Sequence, residues 1–158
     1  MNANYASFGR RFVAIIIDGL LLGTIQWIAI MPLLAIFGIG VASNIESMES
    51  MDEAQSMAMA GSMMAMGATF QIVFLIIQTL YFALLESSSK QATIGKMVMG
   101  IVVTDINGNK LDFAKALVRN LCRIISSAIL FIGYIMAAFT EKKQALHDII
   151  ANTLVVKK

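Results

Sequence analysis

The chain has 158 residues, of which 58% are hydrophobic and 14% charged, with a formal net charge of +2. A soluble domain carries about 25% charged residues, so this composition excludes an ordinary soluble protein and indicates one domain, residues 1–158, in contact with a lipid bilayer. The single cysteine, Cys122, excludes an intramolecular disulfide and a paired-cysteine metal site. Nucleic acid is not an expected partner.

The first long apolar run covers residues 12–42 and contains one charge, Asp18. Because a helix crosses a bilayer with roughly 20 apolar residues, this run predicts a transmembrane span, and it is too long for a cleaved signal peptide. Pro32 should kink the helix or mark its effective end. Residues 33–42 are then an extension or a loop, with the Gly-Ile-Gly at 38–40 as a helix breaker.

The next segment, residues 43–62, is acidic, rich in methionine, and has no lysine or arginine. Thioethers are soft ligands that suit Cu(I), so a metal site in this predicted outer loop is one hypothesis. The alternative is a flexible membrane-proximal segment in which methionine is an apolar filler. The candidate metal ligands are Met48, Met51, Met57, Met59 and Met63.

A second span is predicted at residues 63–85, which carry no charge. A basic segment follows at 86–123, and a basic tail lies at 141–158. Lysine and arginine favour the cytoplasmic side of a membrane. We therefore expect a multi-pass protein of the bacterial cytoplasmic membrane, with the N-terminus and both basic segments inside and the acidic segment outside.

A third apolar run, residues 124–140, is short for a span. If it crossed the membrane, the basic tail would lie outside, against the charge rule. A re-entrant element is therefore favoured over a third span, and such an element has to be covered by protein.

Local signals mark the remaining elements. Asn107-Gly108 predicts a tight hairpin turn between two short strands, and Asp112 is a plausible helix N-cap. Residues 142–156 predict a short amphipathic helix followed by an extended end. The predicted fold is an all-α membrane protein with two transmembrane helices, a re-entrant or third helical segment, and a small cytoplasmic hairpin.

Asp18 is the first candidate functional residue, because an acid at the centre of a transmembrane helix costs about 2.5–3.5 kcal/mol and should have a partner or a function. Arg11 leans away from it along the same helix, so a direct pair is doubtful and Arg11 is alternatively a topology anchor. Arg119 and Arg123 share a helix face, and either is a candidate counter-charge. The alternative is an Asp18 that is protonated, or bonded to a nearby threonine or glutamine, with only a packing role.

His147 is the only histidine and titrates near neutral pH. With Asp148 it forms either part of a buried network or an interfacial helix cap. The candidate intramembrane charge network comprises Arg11, Asp18, Arg119, Arg123, His147 and Asp148. The Gly-Lys at 95–96 lacks the upstream glycine of a phosphate loop, so no cofactor, no catalytic residue and no enzymatic activity are predicted.

Three stretches in order resemble the RDD family of bacterial membrane proteins, which is named for one arginine and two aspartates. They are "RRFVAIIIDGLLL", "ATIGKMVMGIVVTDINGNKLDFAKALVRNLCR" and "KKQALHDIIANTLVV". The resemblance implies that Arg11 and Asp18 match the family's arginine and first aspartate, and that Asp148 or else Asp105 matches the second. It further implies an integral membrane protein of a family often suspected of transport, in some members of cation/proton exchange. Residues 33–70 are not covered.

The function favoured by the sequence is transport across the membrane by a homo-oligomer, with exchange of a cation for a proton at Asp18. One protomer with two spans offers little material to enclose a path, and His147 and Asp148 are placed at the cytoplasmic mouth. The alternative is a non-catalytic assembly or scaffold subunit that binds another membrane protein. The third hypothesis is Cu(I) binding by the outer methionines.

Overall fold

The computed structural model describes residues 4–42, 50–128 and 132–158. The chain divides into two compact units, one made of residues up to Leu20 with Gln78–Lys158, the other of Leu21–Ile77. The helices are α1 (Phe8–Ala42), α2 (Glu53–Glu86), α3 (Ile94–Val98), α4 (Phe113–Ala128), α5 (Ile132–Phe139) and α6 (Leu146–Ile150). The strands are β1 (Ile101–Asp105) and β2 (Thr153–Lys157).

Helices α1 and α2 are the two that are long and apolar enough to cross a bilayer in the described part of the chain, with mean hydropathies of 2.1 and 2.0. They correspond to the two predicted spans. Helix α1 continues through Pro32 to Ala42, so residues 33–42 are a helical extension. The predicted break at 38–40 is wrong, because glycine weakens a helix by only about 1 kcal/mol.

Helix α2 begins ten residues before the predicted span, because a capping box starts it at Glu53. The Gln55 amide donates to Asp52 Oδ1 at 2.7 Å, and the Asp52 amide donates to Gln55 Oε1 at 3.1 Å. These reciprocal bonds satisfy amides that a helix start leaves open. Residues 53–62, which we expected in the outer loop, therefore belong to the helix.

The unit formed by Leu21–Ile77 contains long stretches of both spans. Within it, Gln26 Nε2 donates to Gln71 Oε1 at 3.3 Å. Large apolar side chains such as Trp27 and Ile28 are exposed. Such exposure on helices of this length is what a lipid environment accommodates.

The other unit contains a two-stranded antiparallel sheet in which β1 pairs with β2, with Val103 opposite Val155. Tyr5 bridges to Val156 beyond the strands. Small and branched apolar residues form the core around this sheet. They are Ala6, Ala14, Ala83, Ile101, Val103, Leu111, Ala116 and Val155.

The predicted hairpin is wrong in its partner strand, although its turn is present. The Gly108 amide donates to the Asp105 carbonyl at 3.1 Å, and the Asp105 side chain accepts from the amides of Asn107 and Asn109 at 2.8 and 2.7 Å. Soon afterwards Asp112 caps α4, with its Oδ2 3.1 Å from the Ala114 amide. Too few residues remain for a second strand, so β1 pairs with β2 instead, and the mostly helical fold contains one two-stranded sheet.

The tail contains a short helix and a strand, whereas the described residues of the third apolar run are mostly helical. The short helix and extended end predicted for the tail are confirmed as α6 and β2. Within the run at 124–140, residues 124–128 lie on α4 and residues 132–139 on α5, and α5 contacts both α4 and α6. A re-entrant course for this run stays a prediction.

Candidate functional site

Five ionised side chains from α1, α2, α3, α4 and α6 form one buried group, which we call the ion-pair cluster. Its members are Arg11, Glu86, Lys96, Arg119 and Asp148. The first residues of α1 and the last residue of α2 contribute to it. The cluster therefore lies where one span begins and the other ends.

Glu86 is the first acid of the cluster and is fully buried at the end of α2. Its Oε1 accepts from Lys96 Nζ. Its Oε2 accepts from Arg119 Nη1 at 2.5 Å and from Asn120 Nδ2 at 2.9 Å. A buried carboxylate is tolerated only when it is paired and hydrogen-bonded, and both oxygens of Glu86 meet that condition.

Asp148 is the second acid and is also fully buried. Its Oδ1 lies 2.9 Å from Arg119 Nε and 2.8 Å from Arg119 Nη2, while its Oδ2 accepts from Arg11 Nη1. Oδ2 also accepts from the Ala145 amide at 3.2 Å, at the start of α6. The Arg119 guanidinium thus bridges the two acids through its planar set of donors.

Burial and neighbouring charge shift the ionisation of these groups. Burial opposes the charged form of Asp148, but Arg119 and Arg11 outweigh it and hold the pKa of Asp148 well below its usual range. Burial likewise opposes the charge of Arg119, but Glu86 and Asp148 raise the pKa of Arg119. Burial lowers the pKa of Lys96 to about 8 despite the attraction of Glu86. These pairs therefore hold Asp148 and Arg119 ionised at neutral pH.

Asp18 occupies a separate, neutral environment inside α1. Its Oδ2 accepts from Thr93 Oγ1 at 2.6 Å, and its Oδ1 accepts from the Gly95 amide at 2.8 Å and from the Tyr81 hydroxyl at 3.4 Å. Gly95 permits this approach, because a Cβ there would overlap the Ala14 carbonyl oxygen and lie 3.0 Å from the Asp18 carboxylate.

The partner of Asp18 differs from the expected arginine. Arg119 is directed to the two acids of the ion-pair cluster, and the guanidinium carbon of Arg123 lies 3.4 Å from the centre of the Phe82 ring. The start of α3 brings the neutral donors to Asp18 instead. A nearby threonine was the alternative partner that the sequence left open, and Thr93 fills that place.

His147 is buried beside the cluster, with its Nε2 3.6 Å from Asp148 Oδ1. Burial lowers the pKa of His147 to about 3, since the attraction of Asp148 does not compensate for burial and for the nearby cations Arg119, Arg123 and Lys96. Among the predicted site residues, the structure thus brings Arg11, Arg119, His147 and Asp148 together. Asp18 contacts other groups.

Sequence reasoning missed Glu86, Lys96 and Asn120 in the cluster, and Thr93 and Gly95 beside Asp18. A signal for Glu86 was available. It is the first charge after the uncharged run at 63–85 and the only acid between Glu53 and Asp105. An acid in that position, next to a strongly basic segment, indicates a counter-charge for buried cations.

The two candidates for a second family aspartate have different environments. Asp148 is buried in ion pairs. Asp105 lies at the surface, where backbone donors from Asn109 and Asn107 lower the pKa of Asp105. Of these two aspartates, Asp148 is the one that forms an ion pair with Arg11.

Four of the five predicted methionine ligands are described, and they lie on or just before α2. Met48 lies outside the described residues, Met51 precedes the helix, and Met57, Met59 and Met63 are helical. Met59 and Met63 are four apart and so share a face. Among the described residues, no group of three or more histidine, cysteine, aspartate or glutamate side chains is placed to hold a metal ion.

Comparisons with known proteins give a consistent result. The RDD family profile matches residues 5–152. "Uncharacterized protein YxaI" of Bacillus subtilis (strain 168) is 34% identical over 97% of this chain and 97% of its own. "Uncharacterized membrane protein YteJ" of the same organism is 29% identical over 96% of this chain and 80% of its own. No solved structure matches the chain significantly.

Proposed function

The chain belongs to the RDD family of membrane proteins, and from that membership we propose that it is a non-enzymatic assembly or scaffold subunit that binds another membrane protein. In this proposal it lies in the bacterial cytoplasmic membrane with its N-terminus and basic segments inside. The excess of lysine and arginine in residues 86–123 and 141–158 supports that orientation.

This proposal rests on one observation, which is that the carboxylate oxygens of the buried acids are already occupied by hydrogen bonds from the protein. Every carboxylate oxygen of Asp18, Glu86 and Asp148 accepts at least one hydrogen bond. A cation would have to replace several of these bonds at once to bind there. Removing one partner of a buried pair costs about 3–5 kcal/mol, so the arrangement favours a fixed structural role over a carrier that loads and releases ions.

Site-specific photo-crosslinking in native membranes tests the proposal. A photoreactive residue at Ile28, which is 69% exposed, should give one discrete crosslinked band that contains a second membrane protein. The matched control is Leu22 on the same helix, which is 5% exposed and should give none. Lipid-only adducts at Ile28, Trp27 and Ile36 would contradict the proposal.

A second candidate function is cation/proton exchange by a homo-oligomer, and the environment of Asp18 favours it. The described partners of its carboxylate are neutral donors. An acid inside a span is by default a candidate for an ion or proton pathway.

Proteoliposomes distinguish the two functions. If exchange occurs, a pH gradient should drive cation flux in the wild type, and Asp18→Asn should abolish it. Glu141→Gln, at an exposed acid of the tail, is the matched control and should retain the flux. Folded wild type without flux would leave the assembly role as the proposed function.

A third candidate is Cu(I) binding, supported by the shared face of Met59 and Met63 on α2. Titration of the full chain in detergent should show saturable Cu(I) binding that weakens in a Met59→Leu/Met63→Leu variant. Leucine keeps the volume and removes the thioether. Equal binding by the variant would rule out this pair as ligands.

A further inference from the structure

The unit that holds the ion-pair cluster also contains a cavity of about 400 Å³. Apolar side chains from α1 and α5 contribute to its lining, among them Phe8, Phe12, Ile15 and Ile135. Cationic side chains contribute to the same lining. They are Arg11, Lys96, Arg119 and Arg123.

The charged side chains that line the cavity are all positive. Its described residues include four cations and no acid, since the carboxylates of Glu86 and Asp148 bind these cations from outside the lining. Two buried carboxylates face four basic side chains. The cavity is therefore complementary to an anion.

Arg11 supplies a more specific indication. Its side chain is 10% exposed, and Nη1 binds Asp148. Its Nε and Nη2 are buried and have no hydrogen-bond partner. A buried donor without a partner destabilises the folded protein, so these two nitrogens favour an acceptor from outside the chain. These two nitrogens form one edge of the guanidinium, which is the edge that receives two oxygens of a phosphate or carboxylate side by side.

The apolar side chains of the lining indicate that the anionic group belongs to a molecule that also has an apolar part. Phe12 is 53% exposed, Ile15 40% and Ile135 46%, so the cavity has apolar residues that are open to the surroundings. They lie near Phe8, the first residue of a membrane span. At that depth a bilayer changes from acyl chains to headgroups, so a lipid presents its phosphate and its chains to this place together.

We propose that the cavity binds one anionic phospholipid, with its headgroup phosphate on the Nε–Nη2 edge of Arg11 and an acyl chain over Phe12 and Ile15. The lipid is then a structural ligand of the cluster and completes the hydrogen bonding of Arg11. This proposal does not depend on whether the protein acts in assembly or in exchange.

Native mass spectrometry of the full chain released from detergent tests the proposal. Phosphatidylglycerol and phosphatidylcholine with identical acyl chains are the probes, and inorganic phosphate is a third. Wild type should retain one phosphatidylglycerol through mild activation and should not retain phosphatidylcholine. Arg11→Gln should weaken that retention at least about tenfold, because it removes a bidentate charge-assisted contact.

Arg10→Gln is the matched control, since Arg10 is adjacent in sequence, exposed and bonded to the Met99 carbonyl. It should retain phosphatidylglycerol within about twofold of wild type. If Arg11→Gln does not fold, Arg123→Gln decides, because Arg123 also lines the cavity, and retention should fall there too.

Three results would overturn the proposal. One is equal retention of phosphatidylglycerol and phosphatidylcholine. Another is unchanged retention in the folded cavity variants. The last is displacement of the lipid by inorganic phosphate at equal concentration, which would show an anion site without a lipid chain.

Discussion

Asp148 is the residue on which the ion-pair cluster depends most directly. It joins Arg11 and Arg119 and also caps the first turn of α6 through the Ala145 amide. Arg11 and Arg119 are both largely buried, and both pair with this one acid. Its charge is therefore needed for stability whatever function the protein has.

We predict that Asp148→Asn lowers the free energy of unfolding by about 3–5 kcal/mol, because it removes the acid that pairs with the buried Arg11 and leaves Arg119 with Glu86 alone. The measurement is the melting temperature of the purified protein in detergent. Glu141→Gln is the control, since Glu141 is an exposed acid of the tail, and its melting temperature should stay near that of wild type. Equal losses in both variants would contradict the assignment of Asp148 as the buried acid.

Gly95 allows a second residue-level prediction. Gly95→Ala should destabilise the protein by about 1–3 kcal/mol, because the new methyl group overlaps the Ala14 carbonyl oxygen. Gly67→Ala on α2 is the control, since a Cβ there meets no atom within 4 Å, and it should be neutral or slightly stabilising. Thermal melting checks both. Tolerance of alanine at Gly95 would show that α1 and α3 are not in close contact.

His147 predicts a pH dependence of stability. Its folded pKa is about 3, against 6.5 for an ordinary histidine, so only the unfolded chain takes up a proton as the pH falls below that ordinary value. Stability should therefore decrease from about pH 7 to about pH 5. Melting temperatures across this interval measure it, and His147→Gln should flatten the slope. A variant with the wild-type slope would assign the dependence to other groups.

At the scale of elements, β2 completes the two-stranded sheet of the described structure. Leu154 and Val155 are buried on it, and burial of each such side chain contributes about 1.5–3 kcal/mol. Strand β1 has β2 as its partner in the described sheet. The stability of β1 thus depends on residues far away in sequence.

We predict that a chain ending at Asn152 fails to accumulate in membranes, because it exposes the apolar face of β1. Deletion of Lys158 alone is the control and should accumulate normally, since most of the strand pairing remains. Membrane fractions compared by immunoblot give the result. Normal accumulation of the shorter chain would instead favour the local hairpin at 107–108.

At the scale of the whole molecule, the proposed orientation follows from charge. On a Cys122→Ala background, Ser56→Cys at the start of α2 should react with a membrane-impermeant maleimide in intact cells. Asn107→Cys in the exposed turn should react only after lysis. Both positions are exposed on the protein, so a difference in labelling reports the side of the membrane on which each one lies. The opposite labelling pattern would invert the proposed orientation.

Sequence reasoning was reliable where the signal was local. The two spans follow from the length of apolar chain that a bilayer requires. The cap at Asp112 and the succession of α6 and β2 follow from patterns within a few residues. It was wrong where partners are distant, as for β1, whose partner strand lies some fifty residues further along the chain.

The charged residues show the same division. The sequence indicated that Asp18 needs a partner, but residue types alone do not distinguish an arginine from the neutral donors at the start of α3. Glu86 was missed because an acid at the end of a span resembles an ordinary loop residue. The pairing of Arg11 with Asp148 spans 137 positions, and no periodicity connects them.

That separation has a consequence for biogenesis. At about 5–20 residues per second, roughly 7–30 seconds pass between synthesis of Arg11 and synthesis of Asp148. During this time the first helix enters the bilayer while its arginine lacks its final counter-ion, and anionic headgroups or the insertion machinery have to shield it. The ion pair thus acts as a checkpoint of synthesis, since it can form only on a chain whose translation has passed Asp148.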